Sequence, residues 1–237
     1  MTNSTSAGRD VRTRRAVPPM LRPGTGRNDW LAFGVGAIAV VLAFGLILAR
    51  TPGMTRIDMS ISVALTRLHT GAIGALGSAV YKIFSPVEAI TLTALIAVAI
   101  LVVSRNLRLA ATFAALVAIT WIPSDIVKIL VHRLRPDADE LPHHLTPMPT
   151  DPSYPSGHMV FVTTLVIAVV LLARGSRWSA LATGLGAVVV VVVALCLVTD
   201  GVHYASDVIA SIVWSLGVAP FVLELWNRYV LPRTYRL

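Results

Sequence analysis

Long apolar runs constrain this chain more than any other feature of its sequence. The first, Trp30–Ala49, contains 20 residues without a charge, and a helix of that length crosses the hydrocarbon core of a bilayer. Backbone polar groups inside lipid must bond within their own segment, so such runs form helices. Five further runs cover 86–103, 107–131, 156–173, 178–199 and 204–225. The sequence therefore predicts an all-α, polytopic membrane protein with six transmembrane helices.

The charge content supports a membrane protein and argues against a nucleic-acid partner. Only 14% of the residues are charged and 55% are apolar, whereas a soluble domain carries about 25% charge. The formal net charge is +8, but the arginines cluster at the ends of apolar runs. That placement is typical of membrane topology. The expected partners are membrane lipids.

Three segments outside the spans have their own character. Residues 1–29 and 227–237 are basic and contain little to bury, which predicts a disordered basic tail before a membrane domain at 30–226 and a second basic tail after it. Residues 56–83 show apolar side chains at helical spacing, which predicts an amphipathic helix at the extracytoplasmic interface. The segment 135–155 contains six prolines, which predicts a semi-rigid cover without an α-helix.

The distribution of basic residues predicts the orientation of the six spans. With six spans both termini lie on one side, and that side holds 13 of the 20 lysines and arginines. By the positive-inside rule it is the cytoplasmic side of the plasma membrane. The loop at 135–155 and the turn between the fifth and sixth spans are then extracytoplasmic.

Three polar clusters fall on that outer side, and the first is cationic. Lys128 and Arg135 are two helical turns apart and share a face if the helix continues that far, although Pro136 biases Arg135 away from helix. Two cations directed together suit a dianionic phosphate. They also fit a helix end anchored by two snorkelling side chains. Asp125, one turn before Lys128, could hold it in place.

The second and third clusters each contain a histidine at a predicted helix start. Ser156 is a suitable N-cap for the apolar run behind it, and the start of such a helix binds anions next to His158. His203 and Asp207 are four residues apart and share a helix face. A carboxylate bonded to one imidazole nitrogen fixes the tautomer and leaves the other nitrogen as a nucleophile. Taken alone, this pair also fits a histidine satisfied by a neighbouring acid.

Together these clusters resemble the type 2 phosphatidic acid phosphatase superfamily, which includes lipid phosphatases, isoprenoid diphosphate phosphatases and vanadium haloperoxidases. The resemblance covers residues 57–225 and depends on Lys128-x6-Arg135-Pro136, Pro155-Ser156-Gly157-His158 and Gly201-Val202-His203-x3-Asp207. It implies a six-span, metal-independent phosphatase without a cofactor. It also implies roles for individual residues: His203 attacks phosphorus, Asp207 orients it, His158 protonates the leaving oxygen and later activates water, and Lys128, Arg135, Ser156 and Gly157 hold the phosphoryl group.

One departure from the family pattern concerns the third motif. That motif normally opens with Ser-Arg, but Cys196 and Leu197 stand at those positions here. Losing a desolvated arginine contact to phosphate costs roughly 2–5 kcal/mol. Four cations on the same side are candidates to replace it: Arg133, Arg50, Arg56 and Lys82. The loop pair His143 and His144 could indicate a metal, but such a pair is usually solvated.

The expected function is an integral membrane phosphatase acting at the outer leaflet on a polyprenyl diphosphate, phosphatidate or phosphatidylglycerophosphate, through a phosphohistidine. A catalytically impaired relative that binds lipid phosphate remains an alternative, because Leu197 replaces the arginine. A lipid phosphotransferase would use similar residues. A haloperoxidase-like vanadate enzyme fits less well, since this chain is mostly transmembrane.

Overall fold

The computed structural model describes residues 17–22 and 29–231, and this part of the chain is helical without strands. Within these two ranges nine α-helices follow one another: α1 Asp29–Arg50, α2 Pro52–Thr66, α3 Gly71–Ile83, α4 Pro86–Ser104, α5 Leu107–Trp121, α6 Ser124–Val131, α7 Gly157–Ala173, α8 Ser179–Thr199 and α9 Ala205–Leu225. A π-helical turn, Trp226–Val230, extends α9. The all-α prediction is confirmed.

Five of these helical stretches are long and apolar enough to cross a membrane: Asp29–Arg50, Pro86–Ser104, Leu107–Val131, Ser179–Thr199 and Ala205–Val230. The third combines α5 and α6, which are separated only by a break at Ile122 and Pro123. The helix α7 is shorter, with 17 residues. The chain is thus an integral membrane protein, and the sixth span, which α7 would supply, stays a prediction.

The core of the bundle is built around α7 and α9. The helix α7 packs against α5, α8 and α9, and its residues 159–164 are buried. Small residues let α1 approach α9 closely: a Cβ added to Gly217 would lie 2.1 Å from the Cβ of Ala37, and one added to Gly34 would lie 2.5 Å from Phe221. Such small-residue contacts are typical of helix packing in membranes.

The predicted single helix at 56–83 is divided into α2 and α3. The break follows Thr66, and Gly71 has a φ of 49°, which favours glycine. The polar side of α2, formed by Asp58, Ser62 and Thr66, is buried against the protein, while Ile57 and Ile61 are exposed. Asp58, Ser62 and Thr66 therefore point into the bundle, whereas Arg56 on the same helix is exposed. Location at the membrane interface remains a prediction.

The two predicted basic tails lie largely outside the described residues. Within the described part, Pro19–Leu21 forms a 3-10 turn whose Met20 is buried, so this piece is packed and not disordered. The side-chain amide of Asn227 donates a hydrogen bond to the Met20 carbonyl over 3.0 Å. The second tail therefore begins inside the folded bundle.

Candidate active site

The two cations of the first cluster meet on a single carboxylate, although they do not share a helix face. The helix α6 ends at Val131, and His132 adopts a left-handed conformation with φ 49°. Even so, Lys128 Nζ lies 2.7 Å from Oδ2 of Asp151, and Arg135 Nη2 lies 2.8 Å from Oδ1 of the same residue. Arg135 Nε also donates to the backbone carbonyl of Asp151 over 2.8 Å.

Asp151 stays ionised in this arrangement. Partial burial alone would raise its pKa, but the hydrogen bonds and charges of Lys128 and Arg135 outweigh that effect and lower the pKa to about 2. The predicted partner of Lys128 was Asp125, which lines the same cavity. The sequence showed four acids in this loop, and nothing in their pattern distinguished Asp151 from the others.

The second cluster starts α7 as predicted. Ser156 is the N-cap, and its Oγ accepts a hydrogen bond from the Met159 amide over 3.4 Å. The amide of Ser156 donates to Ser211 Oγ on α9 over 2.8 Å, which fixes the helix start against the bundle. A Cβ built on Gly157 would lie 4.0 Å from Lys128 Nζ. The start of α7 therefore faces the first cation.

His158 is fixed by Tyr81, a residue of α3 that the sequence did not indicate. Its Nε2 lies 3.1 Å from the Tyr81 carbonyl oxygen, and the two rings stack with centroids 4.3 Å apart. A carbonyl only accepts hydrogen bonds, so Nε2 carries the proton. The other ring nitrogen, Nδ1, is then the atom available to exchange a proton with a ligand.

His203 lies in the turn between α8 and α9, and its side chain is almost fully buried. Its Nε2 is 3.4 Å from Nη1 of Arg135, which joins the third cluster to the first. Burial lowers the pKa of His203 well below its usual value, and the nearby charges of Arg135, Lys128 and His158 lower it further. The imidazole is therefore neutral near pH 7, as a nucleophile must be.

The expected hydrogen bond between His203 and Asp207 is not formed. Nδ1 of His203 is 3.8 Å from Oδ2 of Asp207, within ion-pair range but beyond hydrogen-bonding distance. Asp207 Oδ2 instead accepts the backbone amide of Tyr204 over 3.0 Å, as part of a capping box at the start of α9. The carboxylate is thus held beside the imidazole by the helix start.

The other oxygen of Asp207 is held by Arg133. Arg133 Nη1 lies 2.6 Å from Asp207 Oδ1, and Nη2 lies 2.8 Å from Oδ2 of Asp58 on α2. All three side chains are buried. Arg133 is therefore enclosed within the bundle between two carboxylates. The sequence offered no signal for Asp58, because it stands on what looked like the solvated side of an amphipathic helix.

The structure narrows the candidates for the cation missing at Leu197, which is itself fully buried in the apolar core. Arg133 is engaged by the two carboxylates, and Lys82 Nζ lies 2.7 Å from Oε1 of Glu88. Arg56 lines an outer cavity together with Arg135 and Asp151. Arg50, at the C-terminal end of α1, is exposed. Arg56 is therefore the cation that shares a cavity with the cluster.

A cavity of about 610 Å³ joins this cluster to the apolar surface. One end is lined by Lys128, Arg135, Asp151, Gly157 and His158. The other end runs between α4 and α5 and is lined by Ile90, Ala94, Ala114, Val117, Ala118 and Ile122. Ile90 and Ile122 are each 61% exposed, so the apolar end reaches the outer face of the helices.

The loop histidines do not assemble with further metal ligands in the described part of the chain. Over 17–22 and 29–231, no group of three or more His, Cys, Asp or Glu side chains is arranged to hold a metal ion. The Nδ1 of His144 donates to the Leu145 carbonyl over 2.9 Å.

Three comparisons with known proteins agree with this description. The sequence model of the PAP2 superfamily matches residues 107–230. An undecaprenyl-diphosphatase from Sulfolobus acidocaldarius is 36% identical over 119 residues, which cover 50% of this chain and 54% of the relative. The chain thus matches about half the length of that curated relative. A crystal structure of a transmembrane PAP2-type phosphatidylglycerolphosphate phosphatase from Bacillus subtilis superposes with a TM-score of 0.69 at 16% identity, covering 86% of this chain and 98% of that one.

Proposed function

This chain belongs to the PAP2 superfamily, and on that basis we propose that it is a membrane phosphatase removing the terminal phosphate of a lipid phosphate or diphosphate. The observation that carries the proposal is the cavity described above. Two cations and His158 line one end, and apolar helix faces line the other. A lipid phosphate has the same division, with a charged head and an apolar chain.

Polyprenyl diphosphate is the substrate class we favour, with phosphatidate and phosphatidylglycerophosphate as the other candidates. The relative that shares 36% identity is an undecaprenyl-diphosphatase. The likeness to the Bacillus subtilis phosphatidylglycerolphosphate phosphatase, at 16% identity, supports the fold alone. The lipid chain would lie between α4 and α5, where Ala94, Ala114 and Ala118 leave room for it.

In the first step, Nε2 of His203 attacks the terminal phosphorus, and the bond from phosphorus to the leaving oxygen breaks. Lys128 and Arg135 neutralise the equatorial oxygens, and fixed donors of this kind contribute about 3–4 kcal/mol each to stabilising a transition state. His158 enters this step protonated at both ring nitrogens, with its Nε2–H on the Tyr81 carbonyl, and gives the Nδ1 proton to the leaving oxygen. A lipid alcohol, or a lipid monophosphate from a diphosphate, departs and a phosphohistidine remains.

In the second step, water releases the phosphoryl group. His158, now neutral at Nδ1, takes a proton from the water as its oxygen attacks phosphorus. The bond between phosphorus and His203 breaks, and inorganic phosphate leaves. Asp207 supports the imidazolium-like charge on His203 in both steps from 3.8 Å. No metal is required by these steps.

The site would face the outside of the plasma membrane, with both termini of the chain in the cytoplasm. The support for this orientation is the excess of basic residues on the other side. A site in that position would act on lipids of the outer leaflet.

The test is phosphate release from undecaprenyl diphosphate, phosphatidate and phosphatidylglycerophosphate by the purified protein, with and without EDTA. We expect release from at least one lipid, unchanged by the chelator, and a fall of at least 1,000-fold in His203→Ala, as for a lost nucleophile. His143→Ala removes an exposed histidine from the loop and serves as the matched control. Activity in His203→Ala equal to that of the parent would contradict the proposal.

A second candidate is a binding protein that retains lipid phosphate without hydrolysing it, and the buried Leu197 favours it. The two functions differ in one intermediate. Rapid mixing with a substrate labelled in its terminal phosphate should label His203 in a phosphatase, whereas a binding protein would retain intact substrate and no label.

A further inference from the structure

Asp151 occupies the anion site formed by the two cations of the first cluster. Its two carboxylate oxygens lie 2.7 and 2.8 Å from Lys128 and Arg135. The side chain of Asp151 is 52% exposed, whereas those of Lys128 and Arg135 are 14% and 9% exposed. The carboxylate therefore covers both cations, and an anion reaching them must first displace it.

We propose that Asp151 is a specificity-determining residue that holds the two cations until a dianionic terminal phosphate displaces it, and thereby excludes the monoanionic phosphodiesters of ordinary membrane lipids. The proposal rests on the proposed function, because it concerns the same site. It adds a reason why the site would select a terminal phosphate in a membrane full of diester head groups.

Charge decides which ligands can displace Asp151. A carboxylate carries one negative charge and two acceptor oxygens, and a phosphodiester offers the same. Exchanging one for the other gains no charge interaction, and Asp151 has the advantage of being attached to the site. A terminal phosphate carries about −1.5 to −2 charge at pH 7 and three acceptor oxygens. Only the terminal phosphate therefore gains from the exchange.

The carboxylate can leave without rearrangement of its loop. Arg135 Nε holds the backbone carbonyl of Asp151, and the amide of Ser153 donates to the Arg133 carbonyl over 2.8 Å. These backbone contacts do not involve the Asp151 side chain, so rotation about its side-chain bonds is sufficient. A second cavity of about 560 Å³ adjoins Asp151 on the outer side, lined by Arg56 and Tyr204 among others, and provides room for the displaced carboxylate.

The experiment measures binding of two soluble probes, inorganic phosphate and dimethyl phosphate, to the purified full chain by isothermal titration. In the parent we expect dimethyl phosphate to bind roughly tenfold or more weakly than phosphate. In Asp151→Asn no carboxylate has to be displaced, so we expect both probes to bind about tenfold more tightly than in the parent, and dimethyl phosphate to reach the affinity that phosphate has in the parent. Asp151→Ser should behave in the same way and guards against a folding defect in the first variant.

Asp139→Asn is the matched control, because it removes an exposed carboxylate from the same loop. It should leave the affinity for both probes unchanged, which shows that the effect of Asp151→Asn comes from its contact with Lys128 and Arg135 and not from a general change in charge. An Asp151→Asn protein that binds both probes as the parent does, or more weakly, would overturn the proposal. So would a parent that binds neither probe.

Turnover of undecaprenyl diphosphate, measured on the same samples, separates the two proposals. If both probes bind more tightly to Asp151→Asn but no phosphate is released by any variant, the assignment of Asp151 stands and the phosphatase function fails. If phosphate is released while the affinities for both probes stay as in the parent, the function stands and the assignment of Asp151 fails.

Discussion

Arg133 shows how much of this site depends on a residue with no expected contact to substrate. One guanidinium holds Asp207 of α9 and Asp58 of α2, and its Cζ lies 4.1 Å from the ring centroid of Tyr204. A buried ion pair adds little to stability as a whole, but removing one partner leaves an uncompensated buried charge. Arg133 therefore holds the Asp207 carboxylate beside His203, and it is a positioning residue.

Replacing Arg133 should separate positioning from substrate binding. We expect Arg133→Met to lower the free energy of unfolding by about 3–5 kcal/mol, because two carboxylates lose their partner. In protein that stays folded, kcat should fall while KM changes little, since Arg133 touches Asp207 and not the substrate. Thermal unfolding and phosphatase kinetics measure both effects, and Arg67→Met, at an exposed position after α2, is the control. A purely structural role would leave kcat of the folded fraction unchanged.

Asp200 should make stability depend on pH. Its Oδ1 lies 3.0 Å from His69 Nδ1, and burial raises its pKa from 3.8 to about 7. Between these two values the folded protein holds a proton that the unfolded chain releases, so stability decreases as pH rises from about 4 to 7. Asp200→Asn removes this loss of stability, because an amide side chain does not titrate in this range. The melting temperature of the variant relative to the parent should therefore increase between pH 5 and pH 8, and a constant difference would contradict the assignment.

At the scale of elements, the apolar runs predicted most helix limits to within one or two residues. For example, the run at 30–49 became Asp29–Arg50, and the run at 178–199 became Ser179–Thr199. The prediction failed for 56–83, where α2 turns its polar side inward. In a water-soluble protein the apolar side of a helix packs against the core. In a membrane the apolar side can face lipid, and the polar side then packs inward, where it forms buried hydrogen bonds. Periodicity identifies the two sides without telling which one faces the protein.

The contact between α3 and the end of α8 depends on Gly77. A Cβ added there would lie 1.9 Å from Oδ1 of the buried Asp200, three residues before His203. Gly77→Ala should therefore lower the free energy of unfolding by about 1–3 kcal/mol through overpacking, and it should lower activity as well. Gly184→Ala on α8, where an added Cβ meets nothing within 4 Å, is the matched control. Because alanine has a higher helix propensity than glycine, Gly184→Ala should leave the free energy of unfolding unchanged or increase it. Equal melting temperatures for the two variants would contradict this packing.

At the scale of the whole molecule, sequence reasoning placed the three clusters on one side of the membrane, and the structure brings them together. Arg135 touches both Asp151 and His203, and Gly157 lies beside Lys128. The residues that the sequence missed are Asp151, Asp58 and Tyr81. Each acts through an element distant in the chain, so no local spacing could reveal it. The family motifs predicted which residues would meet, but not the contacts that hold them.

Cysteine labelling tests the orientation of the bundle. The chain contains one cysteine, Cys196, which is buried and should give little background. In intact cells of a bacterial expression host, a membrane-impermeant maleimide should label Asp139→Cys, in the loop beside the site. Arg177→Cys, in the turn between α7 and α8, should react only after permeabilisation. The reverse pattern would place the site in the cytoplasm.

The apolar end of the large cavity determines which substrate concentration sets the reaction rate, that in the membrane or that in the whole sample. Ile90 and Ile122 stand at its rim on the lipid-facing surface, so a lipid would arrive by lateral diffusion within the bilayer. The rate should then follow the mole fraction of substrate in the membrane and not its amount per volume of sample. Adding inert phospholipid at constant total substrate should slow turnover by surface dilution, and apparent affinities are meaningful only when given per unit of membrane.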